Sequence, residues 1–451
     1  MPDAFRSDEA FAHELDEQDP LRGFRAEFHL PRAGDLRRAT ATAAAASPLA
    51  VADDQPAVYL TGNSLGLQPR ATYEALIGEL DDWARLGVEG HFHARHPWYP
   101  AHEELRGPLS RLVGAKETEV VAMNSLTTNL HLLMVSFYRP TRERYRIIME
   151  DSAFPSDSYA IQTQAQFHAR AVGFDPRDAV VRLSASDART GVFMTDEILE
   201  AIGRHAGSAA LLLMGGVNYR TGQVFDMARI TAHARSRGIV VGWDLAHAAG
   251  NIPLSLHDWN ADFAAWCSYK YLNSGPGSVA GAFVHERHLG NADLPRFAGW
   301  WGNDPSTRFK MGPEFVPVAR ADAWSLSNPP ILSLAAVRAS LGVFDRATIG
   351  ALREKSIKLT GYLERLLSLP ASPDRPAPVE VLTPKDPAAR GCQLSIRVPG
   401  RGREVLAQLL AMGIVCDFRE PDVVRAAPVP LYNSYVDAWR FAAILRELAA
   451  Q

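Results

Sequence analysis

Seven short apolar runs limit the fold of this 451-residue chain more than any other feature. They fall at 120–123, 145–149, 179–183, 209–214, 239–243, 263–266 and 281–284, and end in polar residues. Several are rich in Val, Ile and Leu without the in–out alternation of a half-exposed strand, the pattern of strands covered on both faces. Amphipathic stretches such as 195–205 and 226–237 separate many of them. Strand–helix repetition of this kind predicts an α/β fold with a doubly wound, mostly parallel sheet.

The rhythm changes after Asn328-Pro329-Pro330. Two helical stretches, 332–344 and 349–369, lead through a Pro-rich loop to strands at 379–382 and 393–398, a helix at 403–412 and a strand at 414–418. That order predicts a smaller α+β domain. Residues 1 to about 38 read as short helices with acidic faces, and the Ala-rich stretch 39–52 as a linker. The expected division is an N-terminal helical segment (1–58) joining the small domain, a large domain (59–328) and a small C-terminal domain (329–451).

Composition narrows the setting. A net charge of -4 offers no basic footprint, so neither nucleic acid nor an anionic membrane is expected as a partner. No window approaches the roughly 20 apolar residues of a membrane span. Cys267, Cys392 and Cys416 are odd in number and widely spaced, which fits a reducing compartment. The first residues lack the basic and apolar blocks of a signal peptide. A cytoplasmic protein is expected.

Only six lysines stand against forty-one arginines, and Lys270 occupies an awkward place. The apolar run 263–266 leads straight into it, and a Gly/Pro/Ser turn follows. A buried ammonium is costly unless paired, and a neutral amine there can attack a carbonyl. Twenty-six residues earlier, Gly242-Trp243-Asp244 ends another buried run with a carboxylate. Ligands of open α/β sheets bind at that edge. A lysine to hold an aldehyde and an aspartate to keep a pyridine nitrogen protonated point to pyridoxal phosphate. Taken singly, Asp244 also reads as a helix cap and Lys270 as a surface lysine just past a strand.

A phosphate would suit Asn124-Ser125-Leu126-Thr127-Thr128, which follows a strand and opens an apolar helix; plain N-capping is the alternative. Phe154 and Asp157, in Phe154-Pro155-Ser156-Asp157, stand at another strand end, where a ring could stack; a plain Pro-containing turn is the alternative. Two further motifs carry other chemistries. Gly62-Asn63-Ser64-Leu65-Gly66 matches a nucleophile elbow, but too little chain precedes it to build a hydrolase sheet first. His91-Phe92-His93-Ala94-Arg95-His96 resembles a metal motif with arginine where a carboxylate is wanted, so no metal is expected. Its histidines suit an aryl-substrate pocket instead.

Gly62-Asn63-Ser64-Leu65-Gly66-Leu67-Gln68-Pro69, Phe154-Pro155-Ser156-Asp157, Trp243-Asp244-Leu245-Ala246-His247, Cys267-Ser268-Tyr269-Lys270-Tyr271-Leu272-Asn273 and Ala427-Pro428-Val429-Pro430-Leu431-Tyr432-Asn433-Ser434 together closely resemble the kynureninase family. That family comprises fold type I pyridoxal-phosphate enzymes related to class V aminotransferases. The resemblance runs from about residue 59 to 435. It implies hydrolysis of L-kynurenine or 3-hydroxykynurenine to anthranilate or 3-hydroxyanthranilate plus L-alanine, in tryptophan breakdown or nicotinamide-cofactor synthesis. It also implies a homodimer with the active site near the subunit interface. By residue, it implies that Lys270 holds the cofactor and Asp244 meets its ring nitrogen. His247, Tyr269, Phe154 and Asp157 would lie around the ring, with Leu126 and Thr127 at the phosphate. Trp300 and Asn328 match further cofactor-pocket positions, Asn328 also on the substrate side. Arg425 would hold the substrate carboxylate, and His91 and Ser64 would line the substrate side.

Two departures stand out. Gly215-Gly216 leaves no hydroxyl where some relatives carry serine, and Arg220 stands where some carry an aromatic residue. The rival readings are a cysteine desulfurase, a class V aminotransferase, a Ser64-dependent or metal-dependent hydrolase, and an idle binding scaffold.

Overall fold

The computed structural model describes residues 5–371 and 375–450. The chain forms two compact units. One comprises Met1–Arg70, Arg220–Val224 and Arg346–Gln451, and the other Ala71–Tyr219 and Phe225–Asp345.

The second unit is built on a seven-stranded sheet. Its strands are β1 (Val120–Ala122), β2 (Arg146–Glu150), β3 (Val180–Leu183), β4 (Ala209–Gly215), β5 (Val240–Asp244), β6 (Phe263–Trp266) and β7 (Gly281–Val284). Every apolar run read from the sequence supplies one of them. Their order is β1-β7-β6-β5-β4-β2-β3. The five strands from β6 to β3 run parallel, and β7 lies antiparallel to both β6 and β1. Most residues of β1, β2, β4, β5, β6 and β7 are buried, so non-alternating sequences suit them. Three strands run one residue further than the apolar runs, ending on Glu150, Gly215 and Asp244; Glu150 and Asp244 are charged yet still paired.

Helices cover this sheet. Leu126–Phe137 lays Leu130, Leu133 and Phe137 on it, and Phe137 stacks on Phe263 at 5.0 Å. At the edge where β6 begins, the buried Asp262 accepts hydrogen bonds from Val241 N–H (2.8 Å), Arg235 (2.8 Å), Arg287 (2.6 Å) and His288 (2.8 Å). Burial alone would raise this carboxyl, but His288 and Arg287 outweigh it and bring it down to about 2.

The first unit holds an antiparallel sheet of β8 (Glu380–Val381), β9 (Leu394–Arg397), β10 (Asp417–Arg419) and β11 (Val423–Ala426), in the order β10-β11-β9-β8. The expected single strand at 414–418 is two. Ile414–Val415 pairs in parallel with Val58–Tyr59, and the chain then changes partner at Cys416 so that β10 pairs with β11. Strand β11 has no sequence reading, because its third residue, Arg425, breaks the apolar pattern. The core joins Phe11 and Leu15 to Tyr362, Leu363, Phe441 and Leu445. Lys355, on a helix that reads as charged, is buried and pairs with Asp19 at 2.7 Å. Asp16 accepts the Tyr435 and Val436 N–H groups and so closes the start of helix Tyr435–Ala450.

Close packing at one glycine gives a test. Gly281 stands opposite Trp266 in the β6–β7 ladder, and a Cβ there would fall 2.2 Å from the indole. Gly281→Ala is expected to lower stability by roughly 1–3 kcal/mol through overpacking, read by chemical denaturation.

Candidate active site

Parallel strands deliver their carboxyl ends to one edge, and the chemistry collects there. Gly215 closes β4 directly opposite Asp244 at the end of β5, while Glu150 closes β2 on the other side of β4. Each strand then turns into a short loop bearing one or two polar groups.

Lys270 lies four residues past β6, half-buried, with its Nζ 3.1 Å from His247 Nε2. His247 lies three residues past β5. The Lys270 ammonium stands 5.8 Å from the centre of the Phe154 ring, which Tyr219 meets edge-on at 5.4 Å. Asp244 is buried, and its Oδ1 accepts the Ala246 N–H at 2.7 Å, so the plain capping role is real. It also bonds to the buried Asp157, in the first turn of helix Pro155–Val172. Burial first, and then the charge and hydrogen bond of Asp244, push the Asp157 carboxyl well above its usual range. Asp157 therefore holds its proton more tightly than a free carboxyl and can donate it in its hydrogen bond with Asp244.

The start of helix Leu126–Phe137 faces this group through Thr127, whose Oγ1 lies 2.8 Å from Ser156 Oγ. Ser125 occupies the cap position, and its Oγ lies 2.9 Å from Thr128 Oγ1. Hydroxyls and first-turn N–H groups at a helix N-terminus suit an anion. Tyr269 is half-buried, and burial, with Cys267 and Asp244 close by, raises its phenol to about 12. Cys267 is buried, and burial raises its thiol too, which does not suit a mobile nucleophile.

The structure thus brings together Lys270, His247, Phe154, Asp157, Asp244 and Tyr269, with Thr127 and Leu126 at the adjoining helix start. The other candidates sit elsewhere. In the same unit, His91 packs edge-on against Trp98 at 5.5 Å, and the Trp98 indole is anchored by Glu79 at 2.9 Å. Trp300 is partly exposed and meets Phe309 edge-on. Asn328 lines a cavity of about 340 Å³ with His102, Asn124 and Trp301. Ser64 and Arg425 belong to the first unit. Arg425 is buried, and Asp417, its cross-strand partner, accepts from both its Nε (2.5 Å) and its Nη2. Sequence reasoning missed Glu150, Tyr219 and Asp417. Glu150 sat one residue beyond an apolar run, and Asp417 inside a run mistaken for a single strand.

The donor set fits pyridoxal phosphate: an amine, a hydrogen-bonded pair of buried carboxyls, an aromatic face and a helix start lined with hydroxyls. The Aminotransferase class-V family model matches residues 58–373. Solved structures share the architecture at low identity. A C-DES variant with glycine covalently linked to its PLP cofactor superposes with a TM-score of 0.71 at 18% identity, over 87% of this chain and 96% of its own. The apo cysteine desulfurase of Thermococcus onnurineus gives 0.70 at 17%, over 94% and 99%. The protein is a pyridoxal-phosphate-dependent enzyme of fold type I.

Its particular branch follows from the sequence matches. Residues 352–445 match the Kynureninase C-terminal domain model. The chain is 54% identical to the kynureninase of Koribacter versatilis, over 97% of each chain. It is 52% identical to that of Myxococcus xanthus, over 98% of each, and 48% to that of Nematostella vectensis, over 96% of this chain and 92% of the relative. The chain belongs to the kynureninase family, and its activity is that of a kynureninase.

Glu150 gives a pH test of this edge. Its carboxyl is raised to about 7, first by burial and then by Asp244 and Asp151, from an ordinary 4.5. The folded state therefore holds this proton more tightly than the unfolded chain. Stability from this group is complete below about 4.5 and lost as pH rises to about 7, on the order of 3 kcal/mol. Glu150→Gln removes that loss, so the variant should gain on wild type across this window in denaturant melts of the cofactor-free protein.

Proposed function

We propose that the enzyme hydrolyses the Cβ–Cγ bond of L-kynurenine or 3-hydroxy-L-kynurenine, releasing anthranilate or 3-hydroxyanthranilate and L-alanine. The observation carrying this reading is the Lys270 amine, 3.1 Å from His247 and bordered by Phe154, beside the Asp157–Asp244 pair. Pyridoxal phosphate, when bound, supplies the electron sink for the pair left at the substrate's α-carbon.

The chain's own residues divide the remaining work. Lys270 carries the cofactor until substrate arrives, then takes the α-proton and later returns a proton to the three-carbon product. Asp244 holds the ring nitrogen protonated, and Asp157 fixes the Asp244 carboxylate by donating to it. Phe154 would cover a face of the cofactor ring, with His247 beside Lys270. Leu126 and Thr127 receive the phosphate at their helix N-terminus. Tyr269, its phenol still protonated at neutral pH, serves as the acid–base group for water addition at the γ-carbonyl. Arg425 grips the α-carboxylate through a guanidinium that Asp417 orients. Ser64 and His91 line the substrate side, with Asn328 serving both substrate and cofactor and Trp300 the cofactor. In this reading residues 59–328 bind the cofactor, and the segments 1–58 and 329–451 make up the smaller domain.

Lys270→Ala is expected to abolish steady turnover and the cofactor's bound visible band. Retention of near-wild-type kcat/KM would reject the assignment. Running kcat/KM on both substrates with the wild-type enzyme decides between kynurenine and its 3-hydroxy form.

We also propose a homodimer in the cytoplasm. Helix Ala71–Leu86 presents Tyr73, Leu80 and Trp83 at 59%, 41% and 62% exposure, a spacing that puts them on one face. An apolar stripe of this size is unusual on a monomer and suits a second copy of the chain. Among the described residues Cys267, Cys392 and Cys416 form no disulfide, which favours a reducing compartment. Wild type should sediment as a dimer and a Leu80→Glu/Trp83→Glu double variant as a monomer; a monomeric wild type would remove the proposal.

A further inference from the structure

Glu150 has no task in the reaction as proposed, yet it is more deeply buried (2%) than Asp157 or Asp244 (7% each). A buried carboxylate is costly without a partner. Among the described residues Glu150 makes no ion pair. Its oxygens accept the Gly215 N–H at 3.2 and 3.4 Å. The sheet explains why it can lie so close to the site. Gly215 stands opposite Asp244, and β2 brings Glu150 to the other side of the same strand. A Cβ at residue 215 would fall 3.1 Å from Glu150 Oε1, so glycine leaves the room in which the carboxyl lies against the backbone. The acidic groups facing it are Asp151 on its own loop and Asp244 on β5. Asp157, in the turn after β2, feels Glu150, Asp244 and Lys270 together.

We propose that Glu150 is a positioning residue of the cofactor site. With Asp157 and Asp244 it forms one electrostatically coupled set of buried carboxyls, and its ionisation sets the charge near the ring-nitrogen subsite. Each titration is the loss of one proton to solvent, with no change among heavy atoms. In its ionised form Glu150 favours the cationic forms of the groups above it. The inference rests on the assignment of Asp244 to the ring nitrogen.

The test uses holoenzyme loaded with pyridoxal phosphate, as wild type, Glu150→Gln, Glu150→Asp and Asp244→Asn. Gln keeps the size and an oxygen for the Gly215 N–H but cannot ionise. The visible absorbance of bound cofactor is titrated from about pH 6 to about 10. The midpoint for Glu150→Gln is expected to fall by roughly half a pH unit or more, because one anion is lost from a low-dielectric site. Glu150→Asp should recover part of that shift. A midpoint that moves in Asp244→Asn but stays in Glu150→Gln overturns the role of Glu150 alone. Midpoints unmoved in both overturn the cofactor assignment as well. If Glu150→Gln fails to fold, Glu150→Asp decides, and an unmoved midpoint there counts against the proposal.

Discussion

The hydrogen bond between two buried carboxyls, Asp157 and Asp244, is the interaction around which this edge of the sheet is arranged. Two adjacent anions in a water-poor site repel strongly, so one must be neutral. Burial, and then the charge and hydrogen bond of Asp244, raise the Asp157 carboxyl, so Asp157 is the member that grips a proton. Everything nearby follows from that allocation. Lys270 sits half-buried with Asp157 in its field, its Nζ 5.8 Å from the centre of the Phe154 ring.

The sheet carries the opposite solution at its other edge. Asp262 is as buried as Asp244, but two arginines and a histidine surround it, and its carboxyl stays ionised down to about 2. Glu150 lacks such partners and moves the other way, to about 7. Burial is common to both; the difference is the cations supplied by Arg235, Arg287 and His288. At one end of the sheet cations match the buried carboxylate, while at the other Glu150 lies buried against backbone N–H alone.

Much of this could be read from the residues. The seven strands were legible because a doubly covered sheet demands unbroken apolar runs, and Lys270, Asp244, His247, Phe154 and Asp157 lie within a few residues of where those runs stop. Glu150 escaped notice because a charged residue ends an apolar run by definition, although the ladder continues through it. The first unit was less legible. Its strands are two to four residues long, too short for a period to show, and Asp417 and Arg425 satisfy one another across β10 and β11. Reciprocal pairing of that kind makes charged residues look like loop when the sequence is read in one dimension. The relatives from Koribacter versatilis, Myxococcus xanthus and Nematostella vectensis settle the family independently of these local signals.

The core that packs Phe11 against Tyr362 and beside Phe441 and Leu445 has a consequence for biosynthesis. A nascent chain emerges from the ribosome in order, so the helix Glu9–Glu17 appears some four hundred residues before the helix Tyr435–Ala450 that covers it. Residues 71–345, by contrast, hold every strand of the seven-stranded sheet and are available well before translation ends. The seven-stranded unit can therefore fold on its own early, while the helix Glu9–Glu17 gains part of its cover from Tyr362 and the rest only with the helix Tyr435–Ala450.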